Sequence, residues 1–148
     1  MTMQDPVETR LSRDNEALLR KQVDAWARND LDELLTLYNE EMEYIDIPFI
    51  DRPVRGKKDF REYLEMYNAQ FVPGTVQVEY VNIIANSTSA VGELSVKARY
   101  IGDGAPEGGV DISWPVVLID TFVNGKVSTE HAHFDSQAFA RAVKLAAP

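Results

Sequence analysis

The sequence predicts an α+β fold in which a cone-shaped, curved antiparallel sheet wraps around three N-terminal helices, followed by a short C-terminal helix. Apolar residues recur at helical spacing through most of the first 71 positions, whereas segments between 75 and 134 alternate or run apolar in the manner of strands. Helices followed by a strand meander are typical of an α+β protein, and 148 residues is the size of one domain. An open end of such a cone is where a ligand pocket is expected.

Three helices are predicted before residue 72. The first spans 13–28, and its apolar residues are Leu18, Leu19, Val23, Trp26 and Ala27. The second is short and begins at a capping box formed by Asp30 and Glu33; its apolar residues are Leu31, Leu34, Leu35 and Tyr38. The third spans 57–71, and Phe60, Tyr63, Leu64 and Tyr67 form its stripe. Residues 1–11 are polar and are expected to be a flexible N-terminus, which leaves 12–148 as a single domain.

Five strands and a final helix complete the prediction. One strand, Met42 to Pro48, lies between the second and third helices. Four long strands joined as hairpins follow at 75–85, 90–101, 110–123 and 126–134. Asp135 or Ser136 then caps a short helix over 137–144.

The composition excludes several function classes. A net charge of −9 disfavours nucleic-acid binding, which needs a basic surface. The absence of cysteine excludes disulfides, thiolate catalysis and zinc–thiolate sites. No stretch approaches the length of a membrane span and no signal peptide heads the chain, so a cytoplasmic protein without membrane contact is expected.

Two aspartates interrupt strand patterns at positions that otherwise carry core residues. In the sequence EYIDIP, Asp46 shares a strand face with Tyr44, opposite Ile45 and Ile47. The alternation alone does not show which of the two faces is exposed to solvent. Asp120 ends a row of large apolar residues on one strand face: Trp114, Val116, Leu118 and, beyond it, Phe122. Because an unpartnered buried carboxylate is costly or takes up a proton, an inward-facing acid indicates function.

The orientation of Glu130 depends on the last hairpin. A two-residue turn at Asn124-Gly125 pairs Val123 with Lys126 and places His131 and His133 on the face of Asp120. A three-residue loop places Glu130 and Phe134 on that face instead, because a one-residue slip exchanges the two faces. Local sequence leaves both open.

The remaining candidate residues have ordinary structural interpretations as well. His131 and His133 are spaced to share a metal ion, but no third ligand is evident and no metal site is predicted. Trp26, Tyr63 and Trp114 are typical of a core, and they are also candidates for lining a pocket.

The order of elements and several motifs resemble the nuclear-transport-factor-2-like superfamily, which includes ketosteroid isomerases, SnoaL-like polyketide cyclases, limonene epoxide hydrolases and scytalone dehydratase. The resemblance covers about residues 13–143. Its most specific parts are ARNDLDELLTLY, the spacing from Asp46 to Gly56 ahead of FREYL, and IDTFVNGKV.

The resemblance to ketosteroid isomerases implies roles for two acids. Asp46 matches their proton-shuttling aspartate, and Asp120 matches an aspartic acid that stays protonated in an apolar site and donates a hydrogen bond to the developing oxyanion. The tyrosine that completes that oxyanion hole is replaced by Gln22.

The resemblance to limonene epoxide hydrolases is also partial. The tail GKVSTEHAHFDSQAFARAV and Tyr44, which matches a water-holding tyrosine, follow that family, whereas Asp46 replaces its water-holding asparagine. The family's catalytic Asp/Arg/Asp set falls at Val96, Leu94 and Ala132, which argues against the same mechanism. This alignment turns Glu130 and Phe134 inward and favours the three-residue loop, with Glu130 standing in for the acid missing at 132.

These resemblances imply a cofactor-independent acid/base isomerase or cyclase acting on a hydrophobic polyketide, steroid or terpenoid-like molecule. Asp46 would be the base with Tyr44 beside it, and Asp120 and Glu130 would supply the acid. Trp26, Tyr63, Trp114, Phe134 and Gln22 would bind substrate. An epoxide hydrolase with rearranged acids and a non-catalytic binding or assembly module are the alternatives. A homodimer is expected, through outer-face residues such as Val76, Val78, Tyr80 and Val117.

Overall fold

The computed structural model describes residues 5–146, with side chains described as far as Lys144. It contains ten elements: α1 (Pro6–Ala27), α2 (Leu31–Thr36), β1 (Tyr38–Ile47), β2 (Val54–Arg55), α3 (Lys57–Asn68), β3 (Gln77–Ala85), β4 (Ser89–Tyr100), β5 (Val110–Val123), β6 (Lys126–Phe134) and α4 (Ser136–Ala146). The predicted α+β class and the helix-first order are confirmed.

The six strands form one curved sheet in the order β2-β1-β6-β5-β4-β3. All neighbouring pairs are antiparallel except β1 and β6, which run parallel, so the sheet is mixed rather than purely antiparallel. Register shifts interrupt β1–β6, β3–β4 and β5–β6. Because each such irregularity bends a strand and increases its twist, they help to curve the sheet around the helices.

The first helix is longer than predicted. Asp5 caps it by accepting a hydrogen bond from the Val7 amide at 2.9 Å, and Pro6 occupies the first turn, where its missing N–H costs nothing. The expectation of a loose N-terminus is therefore wrong for residues 6–11, while residues 1–4 lie outside the described part, as do 147–148. The buried face of α1 includes Leu19, Gln22 and Val23.

Tyr38 was assigned to the second helix, and that prediction is wrong. Helix α2 ends at Thr36, and Tyr38 is instead the first residue of β1. Its side chain points into the core with 1% exposure, on the same side as Met42, Tyr44 and Asp46. The strand is thus longer than the predicted 42–48, because the chain turns directly from α2 into the sheet.

The last hairpin combines features of both predicted alternatives. Asn124 and Gly125, with φ of 54° and 75°, form the two-residue turn, and Val123 pairs with Lys126. A register shift then follows between Thr121 and Phe122, after which Asp120 lies opposite Glu130. The turn is therefore the shorter one, and a bulge rather than a longer loop puts Glu130 on the inner face.

The predicted outer-face residues are only partly correct. Val76 and Val78 pack against the core, and the Tyr80 hydroxyl hydrogen-bonds to Arg20 and Asp24 of α1, so these residues lie on the helix side of the sheet. Val117 does face outward, since its pairing partner is His133. Exposed apolar residues on β3 and β5 are Val81, Ile84, Ile119 and Val123. The homodimer stays a prediction.

Across residues 5–146, no helix combines the length and the apolar character needed to cross a lipid bilayer.

Candidate functional site: three buried acids around an apolar cavity

Asp46 is buried at the end of the inward-facing row of β1. Its side chain is 3% exposed, and the Tyr63 hydroxyl donates a hydrogen bond to its Oδ2 at 2.5 Å. Burial raises the pKa of Asp46, and hydrogen bonding from Tyr63 and interaction with the Tyr44 hydroxyl oppose that rise. Asp46 therefore ionises less readily than an exposed aspartate, but its ionised form retains hydrogen-bonding partners.

Helix α3 positions Tyr63. The helix begins after Gly56, whose φ of 82° lies in the region that favours glycine, and its buried residues are Phe60, Tyr63 and Leu64. The Tyr63 ring lies 5.4 Å from that of Tyr44. Burial, followed by its hydrogen bond to Asp46, raises the pKa of Tyr63, so this hydroxyl stays protonated and acts as a donor.

Asp120 and Glu130 form a second acidic group on neighbouring strands. They are directly paired in the β5–β6 register and are 0% and 5% exposed. Gln22 of α1 joins them, because its Nε2 donates to Asp120 Oδ2 at 2.6 Å and also to Glu130 Oε2. The Tyr38 hydroxyl donates to Glu130 Oε1 at 3.1 Å. Glu130 thus accepts two of these hydrogen bonds and Asp120 accepts one.

The two acids of this pair have unequal proton affinities. Burial, followed by the charge of Glu130 and hydrogen bonding to it, raises the pKa of Asp120 well above its usual range. Burial also raises the pKa of Glu130, but hydrogen bonds from Asp120, Tyr38 and Gln22 oppose that rise. Asp120 accordingly holds a proton more strongly than Glu130 does. None of the ion pairs found within the described chain involves either residue.

Asp46 and Glu130 both line one cavity of about 70 Å³ inside the cone. The rest of its wall is mostly apolar and aromatic, with Trp26, Tyr44, Phe60, Tyr67 and Phe134 among the lining residues. Asp120, which is paired with Glu130 on the neighbouring strand, is not part of the wall. Two acids with raised pKa values facing one apolar space are candidates for proton transfer to and from a substrate.

The predicted substrate-binding residues divide into two groups. Trp26, Phe134 and Gln22 line the cavity, as does Tyr44. Tyr63 and Trp114 are not among the lining residues. Tyr63 instead contacts Asp46. The Trp114 ring stacks on Phe71 at 5.3 Å and meets Phe139 edge-on at 5.1 Å, where it fills the core.

Sequence reasoning missed two tyrosines of the site. Tyr38 supports Glu130 from the start of β1, and Tyr67 lines the cavity from α3. Tyr67 lay on the predicted apolar stripe of its helix, one turn beyond Tyr63, and a stripe of tyrosines rather than leucines was the available signal. Tyr38 had no usable signal, because its helical assignment concealed its place on the strand.

His131 and His133 lie on the opposite side of β6 from Glu130, with ring centroids 6.5 Å apart. Within the described part of the chain, no group of three or more His, Cys, Asp or Glu side chains is arranged to hold a metal ion.

Comparison with known proteins places this architecture in a family. The family model of the SnoaL-like domain matches residues 19–130. None of the curated proteins compared with the sequence matches it.

Solved structures share the fold at low sequence identity. A candidate SnoaL-like polyketide cyclase from Shewanella putrefaciens superposes with a TM-score of 0.78 at 18% identity, covering 88% of this chain and 96% of that one. Another from Jannaschia sp. gives a TM-score of 0.77 at 19% identity, with 100% and 99% coverage. A limonene-epoxide-hydrolase-like epoxide hydrolase from M. tuberculosis gives 0.70 at 15% identity, with 95% and 94% coverage. At these identities the likeness shows the fold alone.

Proposed function

This chain belongs to the SnoaL-like domain family, and on that premise we propose that it is a cofactor-independent acid–base enzyme, an isomerase or a cyclase, whose substrate is a hydrophobic polyketide, steroid or terpenoid-like molecule. The observation that carries the proposal is that Asp46 and Glu130 face the same apolar cavity from different strands. Among the carboxyl groups of the described residues, raised pKa values are found at Asp46, Asp120 and Glu130, and two of these three acids face this cavity.

Asp46 is the general base in this proposal. Tyr63 stabilises its ionised form by a hydrogen bond. Its pKa is raised by burial, which brings its proton affinity closer to that of a weak carbon acid. Positioned bases of this kind accelerate proton transfer by about 10²–10⁴-fold.

Glu130 is the acid that faces the substrate, and Asp120 supports it. A negative charge on Asp46 raises the pKa of Glu130, so the two wall acids resist being ionised together. The pair formed by Asp120 and Glu130 retains a proton, because burial raises the pKa of both groups. Glu130 can then donate a hydrogen bond to a carbonyl oxygen as negative charge develops on it.

The proposed step begins when Asp46 removes the proton from a carbon next to a carbonyl group. The electron pair of the C–H bond forms a carbon–carbon double bond, and the carbonyl oxygen takes the developing charge and a proton from Glu130. Return of the proton from Asp46 to a different carbon, while the enol O–H gives its proton back to Glu130, yields an isomer. Attack of the enol carbon on a second carbonyl within the same molecule yields a ring: the oxygen of the second carbonyl takes the proton from Asp46, and the enol O–H gives its proton back to Glu130. Neither route changes the mass of the substrate.

Exchange of a carbon-bound proton with solvent tests this proposal. Wild-type protein is incubated in D₂O with a panel of neutral cyclic ketones, and deuterium incorporation next to the carbonyl is followed by NMR. Asp46→Asn should lose the acceleration by about 10²-fold or more while remaining folded. The matched control is Asp59→Asn, an acid in the first turn of α3 that does not line the cavity. Equal exchange by wild type and Asp46→Asn would refute Asp46 as the base.

Hydrolysis of an epoxide is a second candidate function, favoured by the position of Tyr44 next to Asp46. Tyr44 is 7% exposed, lines the cavity beside Asp46, and is placed to hold a water molecule against it. Glu130 would then protonate the epoxide oxygen. Reaction of an epoxide in H₂¹⁸O distinguishes the two functions, because a hydrolase incorporates one labelled oxygen into a diol and an isomerase incorporates none.

A non-catalytic module is less well supported. That alternative requires either exposed acids or a cavity filled by Trp26, Tyr63 and Trp114. Asp46 and Asp120 are buried, and of the three aromatic residues only Trp26 reaches the cavity wall.

A further inference from the structure

A second pocket adjoins the acidic cavity and is larger. It has a volume of about 310 Å³, against about 70 Å³ for the inner space. Tyr67 and Phe134 belong to the walls of both, so the two spaces meet at these side chains. We call the larger space the outer pocket; its remaining wall is formed by Phe49, Gln70, Tyr100, Asp103, Ser136 and Phe139.

The inner cavity is too small for the whole of a polycyclic molecule. At about 70 Å³ it accommodates the reacting end of a substrate but not several fused rings. A substrate of the proposed class must therefore extend beyond the inner cavity. The outer pocket is next to Tyr67 and Phe134, on the side where the cavity wall is formed by side chains of α3 and the end of β6.

Aromatic rings dominate the outer pocket. The Phe49 ring meets Tyr67 edge-on at 6.2 Å and lies 6.4 Å from Phe134, and Phe49 is 48% exposed. Phe139 meets the Phe134 ring at 6.2 Å on the other side. Rings in edge-on and tilted arrangements present both faces and edges to a flat guest, and an aromatic side chain left half exposed gains contact when such a guest binds.

The polar groups of the outer pocket select against negative charge. The Asp103 carboxylate has no ion-pair partner among the residues described, and the Tyr100 hydroxyl donates to the backbone oxygen of Asp103 rather than to its side chain. Gln70 and Ser136 add neutral hydrogen-bonding groups. An anionic guest would meet both Asp103 and a net charge of −9, whereas a hydroxyl group can donate to the carboxylate.

We propose that the outer pocket is a second substrate subsite, which binds a flat, uncharged, hydroxyl-bearing ring system while the carbonyl end of the same molecule reacts between Asp46 and Glu130. The inference rests on the proposed function and narrows its substrate class. The substrate is then a molecule with two parts, a small reactive end and a planar hydroxylated remainder, and carboxylated analogues are excluded.

Binding of small probes tests the subsite without requiring turnover. The affinities of 2-naphthol, phenol and 2-naphthoate are measured by ¹H–¹⁵N NMR titration of the wild-type protein. We expect 2-naphthol to shift the amide signals of Gln70 and Ser136, and 2-naphthoate to bind at least tenfold more weakly. Phe49→Ala should weaken 2-naphthol binding at least fivefold and leave phenol unchanged. Ile84→Ala, an exposed change on the distant β3, is the control and should alter neither.

Replacement of Asp103 tests whether its carboxylate, and not apolar contact alone, determines which probe binds. Asp103→Asn should bring the affinity for 2-naphthoate close to that for 2-naphthol. The subsite is refuted if 2-naphthol fails to bind at millimolar concentration, if Phe49→Ala binds it as wild type does, or if Asp103→Asn leaves the discrimination unchanged. If 2-naphthol binds at the outer pocket but no deuterium exchange occurs, the proposed acid–base function is refuted and the subsite is not. If exchange occurs but 2-naphthol does not bind, the subsite is refuted and the acid–base function is not.

Discussion

Replacement of Tyr63 by phenylalanine isolates the hydrogen bond that holds Asp46. The Tyr63 hydroxyl donates to Asp46 Oδ2 in a buried environment, and Phe keeps the ring while it removes the donor. A hydrogen bond to a charged group contributes about 1.5–3 kcal/mol. Since one pKa unit corresponds to about 1.4 kcal/mol, loss of this bond should raise the pKa of Asp46 by about one to two units above its wild-type value.

NMR titration of ¹³C-labelled carboxyl groups measures the pKa of Asp46, and Asp46→Asn identifies its signal. Tyr67→Phe is the matched control, because Tyr67 lies on the same helix, lines the same cavity and forms no hydrogen bond with Asp46. We expect the control to change the pKa of Asp46 by much less than Tyr63→Phe. If Asp46 is the base, the acidic limb of the pH–rate profile should move upward with the pKa.

The same substitution should also change stability in a direction fixed by linkage. The folded-state pKa of Asp46 is raised above its unfolded value, so the folded protein loses stability as the pH rises from about 4 through the folded pKa. Tyr63→Phe should make that loss steeper and extend it to higher pH. An unchanged or lower pKa of Asp46 in Tyr63→Phe would refute the assignment of Tyr63 as its stabilising partner.

Three further predictions concern the acid pair, the core and the turn. Asp120→Asn removes a buried group whose pKa is raised, so the variant should be about as stable as wild type below about pH 4 and more stable above it, by about 1.4 kcal/mol for each unit by which the folded state raises the pKa of Asp120. Urea unfolding at several pH values measures this, and a stability difference that does not change with pH would contradict it. Phe60→Ala should lower the free energy of unfolding by about 3–5 kcal/mol in the same assay, because the ring is 1% exposed and its centroid lies 5.0 and 4.8 Å from those of Tyr38 and Tyr44. A smaller loss in Phe60→Ala than in Phe60→Leu would contradict this. Gly125→Ala should cost about 1 kcal/mol through its positive φ alone, since no atom lies within 4 Å of the added carbon, and a neutral result would argue against the two-residue turn.

Local patterns were sufficient for most of the fold. The four long strands end within two residues of their predicted limits, since alternation and turn residues such as Asn124-Gly125 act over short distances. The start of α1 was not predicted, although Asp5-Pro6 is a cap followed by a favoured first-turn residue, because the polar residues after it concealed a helix whose outer face is exposed.

The candidate site depended on contacts between distant parts of the chain. Gln22 meets Asp120 and Glu130 across 98 and 108 positions, and nothing near Gln22 in sequence indicates either acid. A bulge between Thr121 and Phe122 turns Glu130 inward, and the turn sequence alone left the register beyond this point open. The parallel pairing of β1 with β6 likewise has no local signal.

The claim that Asp46 and Glu130, which are distant in sequence, share one apolar cavity is tested most directly by carboxyl NMR titration of the unliganded wild-type protein, with Asp46→Asn and Asp120→Asn for assignment. The structure predicts that both aspartates titrate above their ordinary range, Asp120 by the larger amount, and that Asp46→Asn lowers the pKa of Glu130 by removing a nearby negative charge. Titration of Asp46 and Asp120 near pH 4, with Glu130 unaffected by the substitution, would contradict the shared cavity and the acid–base function proposed for it.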